Sequence, residues 1–391
     1  MEQSSGNKHS QVISAPIMKT YGRFETVFVN GDGALLFDDS GREYIDCLAG
    51  IAVVSAGHAN SFIADAVNAQ MRRLVHVSNL FWNEPMARLA YKLQNSTGGW
   101  GRVFFANSGA EANESAIKLV RKWAGPKRFK ILCAEGSFHG RTLGALAATG
   151  QPLKWKGFEP LPAGFIHLPF NDFPAFEEAV DSETAAIMLE PIQGERGVVP
   201  ASKDFLPAIR DLCTKKNIAL IFDEVQSGMG RTGKWWAFQN YGIKPDIFTT
   251  AKALANGLPM GACIADEPFA SSFTPGDHAS TFGGGAVAAV AAEATMDYLL
   301  KENLIEAAEA KGELFKSLLS SHDKIKEVRG MGLMLGAVLK EETAQQITSA
   351  LLEAGVIVNA VMPDVIRITP PLVITEAQIR SAVEKFNAAL N

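Results

Sequence analysis

Ile218-Ala219-Leu220-Ile221-Phe222-Asp223-Glu224-Val225-Gln226 is the stretch on which the reading of this chain turns. Five apolar residues without a break, closed by a carboxylate, fit a strand buried on both faces. The next apolar run opens Phe248-Thr249-Thr250-Ala251-Lys252-Ala253-Leu254-Ala255-Asn256-Gly257, so Lys252 stands just past the following strand. Taken singly, an aspartate at a strand end is most often a cap or loop residue, and a lysine near a turn a solvated charge. Here Lys252 lies among small and apolar residues, and Asp223 follows a run that should be buried. An unpaired charge in such a place is costly, so a partner is expected.

A strand-end carboxylate and a lysine just after the next strand are what pyridoxal 5'-phosphate chemistry requires. The amine forms a Schiff base with the aldehyde, and the aspartate keeps the pyridine nitrogen protonated so that the ring accepts electrons. A cationic pyridinium is then the partner that Asp223 needs.

Outward from this pair, candidate strands at 102–106, 130–133, 186–189, 218–222, 247–250 and 261–264 alternate with helical patterns at 110–124, 203–215 and 285–300. That alternation predicts an α/β fold with a mostly parallel sheet. Three parts are expected: an N-terminal segment 1–50 joining the small domain, a large cofactor-binding domain 51–295, and a small C-terminal α+β domain 296–391. Residues 1–15 read as a loose leader. Short strands at 34–37 and 43–46 are split by the turn signal Asp38-Asp39-Ser40-Gly41. The small domain shows strands near 334–338 and 365–368 and a closing helix at 376–390.

Arg102-Val103-Phe104-Phe105-Ala106 runs into Asn107-Ser108-Gly109-Ala110-Glu111. Ser108 and Glu111 have capping-box spacing at a helix start, where free N–H groups and the dipole favour an anion. Gly109 would let a phosphate approach the backbone. A plain capped helix is the alternative, and the pyridoxal pair tips the balance. Thr281-Phe282-Gly283-Gly284-Gly285 is a second small, glycine-rich loop. Gly330-Met331-Gly332-Leu333-Met334-Leu335-Gly336 has the wrong final spacing for a dinucleotide fingerprint and reads as a tight bend.

The 391 residues carry a formal net charge of −5, which offers no general attraction to nucleic acid or an anionic membrane. Cys47, Cys133, Cys213 and Cys263 are far apart and flanked by apolar residues, as expected of buried free thiols in a reducing compartment; no metal site is expected. Met1 to Thr20 lacks the pattern of a secretory signal, and no stretch reads as a membrane span, so a cytoplasmic location is expected.

With these residues in view, the chain resembles the class III (subgroup II) aminotransferases of fold type I over nearly its whole length. The matching segments include Gly50-Ile51-Ala52-Val53, Asn107 to Glu114, Phe138-His139-Gly140-Arg141-Thr142, Glu190-Pro191-Ile192-Gln193-Gly194-Glu195, Phe222 to Gln226, Lys252, Ser280 to Gly284 and Ile366-Arg367-Ile368-Thr369-Pro370-Pro371. Within the family they sit nearest the branch that transfers an amine from N2-acetylornithine to 2-oxoglutarate in arginine biosynthesis, and Ser78-Asn79-Leu80 favours that donor over ornithine. The resemblance implies catalysis by Lys252 and Asp223. It implies ring contacts from Val225, Phe138 and His139, with Gln226 reaching the ring's phenolic oxygen. Ser108, Gly109 and Ala110 hold the phosphate, joined across a homodimer interface by Thr281 of the neighbouring copy.

For substrate, the resemblance implies Arg141 as the clamp on the remote carboxylate, with Ser280 nearby and Tyr21 as a wall. Glu195 and Arg367 resemble a switch pair: Arg367 is neutralised by Glu195 for acetylornithine and freed to take the α-carboxylate of glutamate or 2-oxoglutarate. An ordinary buried ion pair is the alternative. Departures from the family pattern are Gly285-Ala286, His58-Ala59-Asn60, and Arg196 after Glu195, which is expected to alter the pair's electrostatics. The competing donors are ornithine, succinylornithine and 4-aminobutyrate. A dinucleotide-binding dehydrogenase and a non-catalytic binding protein are the readings of another class.

Overall fold

The computed structural model describes residues 5–391. Its centre is a seven-stranded sheet in the spatial order Arg102–Ala106, Gly261–Ala265, Ile247–Thr250, Ala219–Asp223, Thr184–Leu189, Lys130–Ala134, Phe165–Leu168. Only Gly261–Ala265 runs against its neighbours; the other pairings are parallel. The fold is the α/β fold with a mostly parallel sheet that the strand–helix alternation predicts. The strand Phe165–Leu168 was not anticipated: it is short and ends at a proline, so periodicity barely registers it.

The continuous apolar run of 218–222 has a direct cause. Ala219 and Ile221 pack with helix Gly109–Ala124 in one core cluster, whereas Leu220 and Phe222 pack with helix Phe205–Lys216 in another. Both faces of the strand are covered, so neither can be polar. Each full side chain of this kind contributes roughly 1.5–3 kcal/mol by leaving water.

The expected strands near 334–338 and 365–368 form a second sheet with Ile325–Met331 and Asn359–Met362. The Gly330–Gly336 segment spans the hairpin between the first two of its strands in chain order, with Gly332 at φ 52° and no room for a Cβ against the Arg231 carbonyl. It is a bend, not a strand-to-helix phosphate turn. The early strand Glu43–Asp46 pairs in parallel with Val356–Ile357, so the beginning and end of the chain share a sheet. Part of the leader departs from expectation: residues 1–4 lie outside the described residues, but Ser5–Ile13 is helical.

Ala49, Gly50, Ile51 and Ala52 are all left-handed, with φ from 53° to 68°. Three of the four carry a Cβ, and such a run is strained. Asp46 Oδ1 holds its entry by accepting from the Leu48 and Ala49 N–H groups at 2.8 and 2.7 Å. The turn brings Val53 to the wall of the main cavity.

Candidate active site

The cavity, of about 410 Å³, opens where the parallel strands end. Asp223 is the last residue of its strand, and Lys252 opens a short turn just past the next one. Lys252 has φ 39°, an uncommon setting for a residue with a side chain. Both line the cavity, with Ser108, Gly109, Ala110, Phe138, His139, Arg141, Glu195, Val225 and Gln226.

Asp223 is 4% exposed and is gripped by three donors. Asn113 Nδ2 and His139 Nδ1 reach Oδ2 at 2.7 and 2.8 Å, and the Val225 N–H reaches Oδ1 at 3.0 Å. Asn113 is fixed in turn by donating to the His139 carbonyl and accepting from Thr249 Oγ1. Neither Asn113 nor Thr249 was anticipated. One signal was present: Asn113 lies on the same helix face as Ala116, Ile117 and Val120, where an amide interrupts the apolar stripe.

At the helix start, Ser108 Oγ accepts from the Glu111 N–H at 3.2 Å, as capping-box spacing predicts. The reciprocal bond is different. Glu111 Oε2 reaches one residue further back and accepts from the backbone and side-chain nitrogens of Asn107, both at 2.8 Å. The N–H groups of Ser108, Gly109 and Ala110 are left with no protein acceptor among the described residues, an arrangement made for an anion. Gly109 has a second reason to be glycine: a Cβ would stand 2.8 Å from Val225 Cγ1. The close approach it permits within the chain is therefore that of Val225.

Burial lowers the Lys252 amine to about 8, and Arg367 adds to the effect; Glu195, Asp223 and Glu190 oppose it. Arg367 is 1% exposed. It donates to Glu195 Oε1 at 2.7 Å, Asn359 Oδ1 at 3.2 Å and Gln226 Oε1 at 3.3 Å. Burial alone would raise the Glu195 carboxyl, but Arg367, Lys252 and Lys154 together hold it below its ordinary value. Arg196 does not join this group: its stem lies over Gly136, where an added Cβ would meet Cδ at 2.6 Å. The further cation near Glu195 is Lys154, which gave no sequence signal.

Arg141 is exposed at the cavity mouth, 5.7 Å from the Phe138 ring centroid, with no carboxylate partner among the described residues. Ser280 and Thr281 are not at this cavity. They line a separate one with Asn79 and Phe105, and Asn79 Nδ2 holds their loop through the carbonyls of Ser280 and Gly283. Ser280 is linked back by a 3.1 Å bond from Asn107. Tyr21 is 73% exposed, lies under the Arg23 guanidinium and does not line the cavity.

A half-buried lysine of lowered basicity, a gripped strand-end aspartate and a bare helix start in one cavity define a pyridoxal-phosphate site. Residues 17–390 match the class-III aminotransferase family model, and the chain belongs to that family. It is 46% identical over 383 residues to the acetylornithine aminotransferase of Caldanaerobacter subterraneus subsp. tengcongensis, covering 96% of this chain and 97% of that one. It is 47% identical to that of Methanopyrus kandleri, covering 97% and 98%. Among solved structures it is similar to an acetylornithine aminotransferase from Elizabethkingia anophelis (TM-score 0.88, 32% identity, 99% of each chain). It is also similar to the ornithine aminotransferase of Toxoplasma gondii ME49 (TM-score 0.94, 31% identity, 99% and 95%). The family's cofactor is pyridoxal phosphate, and the residues present fit it.

Proposed function

We propose that this chain transfers the distal amine of N2-acetylornithine to 2-oxoglutarate, giving N-acetylglutamate 5-semialdehyde and glutamate. The names of its relatives support the donor. The observation that carries the reading is the ion pair of buried Arg367 with half-buried Glu195, which lines the same cavity as the unpaired Arg141. Two substrates must use one site. The donor presents its distal amine and keeps its carboxylate far from the reacting atom, within reach of Arg141. The keto acid brings a second carboxylate close to that atom, and Arg367 is the cation placed to receive it once Glu195 lets go.

Pyridoxal phosphate, when bound, supplies an electron sink for the substrate's reacting carbon. The Ser108, Gly109 and Ala110 N–H groups would hold its phosphate, Val225 and Phe138 would wall its ring, and Gln226 would serve the ring's oxygen. Asp223 offsets the charge on the ring nitrogen, and Asn113 and His139 keep the carboxylate aimed. Lys252 Nζ carries the proton that moves during the reaction. An amine lowered to about 8 is neutral in a usable fraction near neutral pH.

Two copies sharing their sites form part of this reading. Thr281 lies outside its own chain's main cavity; Leu80, which lines a cavity with it, is 86% exposed, and Phe282 is also bare. An apolar surface of this kind calls for a partner, and a second copy would bring Thr281 to its neighbour's phosphate. Ser280 would then meet that neighbour's substrate, and Tyr21 would wall a site only in the assembled pair. The domain division at 50 and 295 and a cytoplasmic location belong to the same reading. Four free buried thiols support that location, and among the described residues no helix is long and apolar enough to cross a membrane.

The test is the visible spectrum of the purified protein together with steady-state rates for N2-acetylornithine, succinylornithine, ornithine and 4-aminobutyrate against 2-oxoglutarate. A violet absorption band and the highest kcat/KM for N2-acetylornithine are expected. Preference for ornithine or 4-aminobutyrate would overturn the donor assignment.

A further inference from the structure

Glu190 is a buried acid in the wall of the cavity that the reaction above does not use. It follows Leu189 at the end of its strand, and the parallel register pairs Leu189 with Phe222. One residue on, Glu190 therefore stands beside Asp223. No lysine or arginine is in salt-bridge contact with it among the described residues. Its partners are two backbone N–H groups from two different loops. Oε2 accepts from Phe138 at 3.0 Å, and Oε1 accepts from Gly194 at 3.4 Å. Phe138 carries the ring that walls the cofactor pocket. Gly194 precedes Glu195, and its carbonyl lies 3.5 Å from Arg367 Nη1.

We propose that Glu190 is a positioning residue: its one carboxyl group ties the loop bearing Phe138 to the loop bearing Glu195, so that the pocket wall and the Glu195–Arg367 pair keep their places together. The proposal rests on the aminotransferase reading above and adds to it a link between the cofactor wall and the carboxylate switch.

The link needs this side chain. A carboxyl group has two oxygens able to accept, one for each loop, whereas a glutamine has one and would turn its NH2 toward the other donor. Burial and the neighbouring Asp223 push the Glu190 carboxyl well above its ordinary range, with the two N–H groups and Lys252 opposing. Glutamine keeps the shape of the side chain but gives up its acidity and one of its two accepting oxygens. Its oxygen goes to the closer donor, Phe138. Glu190→Gln thus loosens the Gly194 side, and Glu190→Ala loosens both.

The experiment uses the holoenzyme and both variants. Cofactor release is followed by absorbance after dilution, with no substrate present, and the two half-reactions are followed separately by stopped flow. Glu190→Ala should release the cofactor about tenfold faster than wild type, the scale of one buried hydrogen bond lost. Glu190→Gln should release it more slowly than Glu190→Ala does. Glu190→Gln should also slow the 2-oxoglutarate half-reaction about threefold or more beyond its effect on the amine-donor half, roughly 0.7 kcal/mol of selective loss. Wild-type release from Glu190→Ala, or equal slowing of both halves in Glu190→Gln, would overturn the proposal. If Glu190→Ala does not fold, the asymmetry in Glu190→Gln decides. If the wild type does not turn over N2-acetylornithine, the donor reading fails, and the release rates, which need no substrate, still decide the role of Glu190.

Discussion

Arg367→Ala should separate the two half-reactions. Arg367 sits at 1% exposure with its guanidinium spread over Glu195, Asn359 and Gln226. On the proposed reading it is the cation that receives the keto acid's carboxylate nearest the reacting atom. A hydrogen bond to a charged group contributes about 1.5–3 kcal/mol, and the competing Glu195 offsets part of a bidentate pair. A loss of roughly 2–3 kcal/mol, or about 30- to 150-fold, is expected in the 2-oxoglutarate half. The donor half should suffer mainly through Lys252. Burial is the larger cause of its lowered amine and remains, but Arg367 is the second, so its removal raises the Lys252 value from about 8. A higher value leaves less neutral amine near pH 7, and the difference vanishes once pH exceeds both values. Single-turnover rates of each half, taken across pH, resolve the two effects. Arg141→Ala is the control and should slow both halves, because both substrates place a carboxylate there. Equal slowing of the halves by Arg367→Ala, persisting at high pH, would reduce Glu195–Arg367 to a structural ion pair.

Lys252→Ala should retain the cofactor without a covalent bond, since the phosphate and ring contacts remain, and should show no turnover; near wild-type rates would remove Lys252 from the mechanism. Asp223→Asn cannot offset a ring cation, and a loss below about tenfold in kcat, about 1.4 kcal/mol, would mean that Asp223 does not face the ring nitrogen. Thr281→Ala should weaken cofactor retention without unfolding the chain, and a fully active monomer seen by sedimentation with simultaneous assay would contradict shared sites. Glu224→Gln tests a buried acid away from the reaction. Burial raises its carboxyl to about 7, with Ser227 and the Phe238 N–H opposing. Its contribution to stability is full below the ordinary value of 4.5 and is lost as pH rises through about 7. The variant's Tm relative to wild type should therefore improve between pH 5 and pH 8, and a difference that does not change with pH would refute this account.

Much of the fold was legible because its signals are local. An uninterrupted apolar run means a strand covered on both faces, and 218–222 is covered by helices packed on opposite sides. The closing helix Glu376–Leu390 agrees with its sequence pattern to the residue, since the Thr375 cap and the 3.6-residue stripe lie within one segment. Lys252 and Asp223 were readable for a related reason: a charge set against apolar neighbours is anomalous within a short window.

The sequence by itself thus determined the strands, their alternation with helices, and which charges had to find partners. Only the tertiary structure decided who those partners are. Asn113 reaches Asp223 across 110 residues, and Arg367 reaches Glu195 across 172. The parallel register sets Glu190 beside Asp223. Arg196 adjoins Glu195 in sequence yet turns away over Gly136, while Lys154, distant in sequence, supplies the charge expected of it. Adjacency along the chain constrains the backbone, but the direction of a side chain and the charges it meets depend on what the crossovers of a parallel sheet bring to its edge.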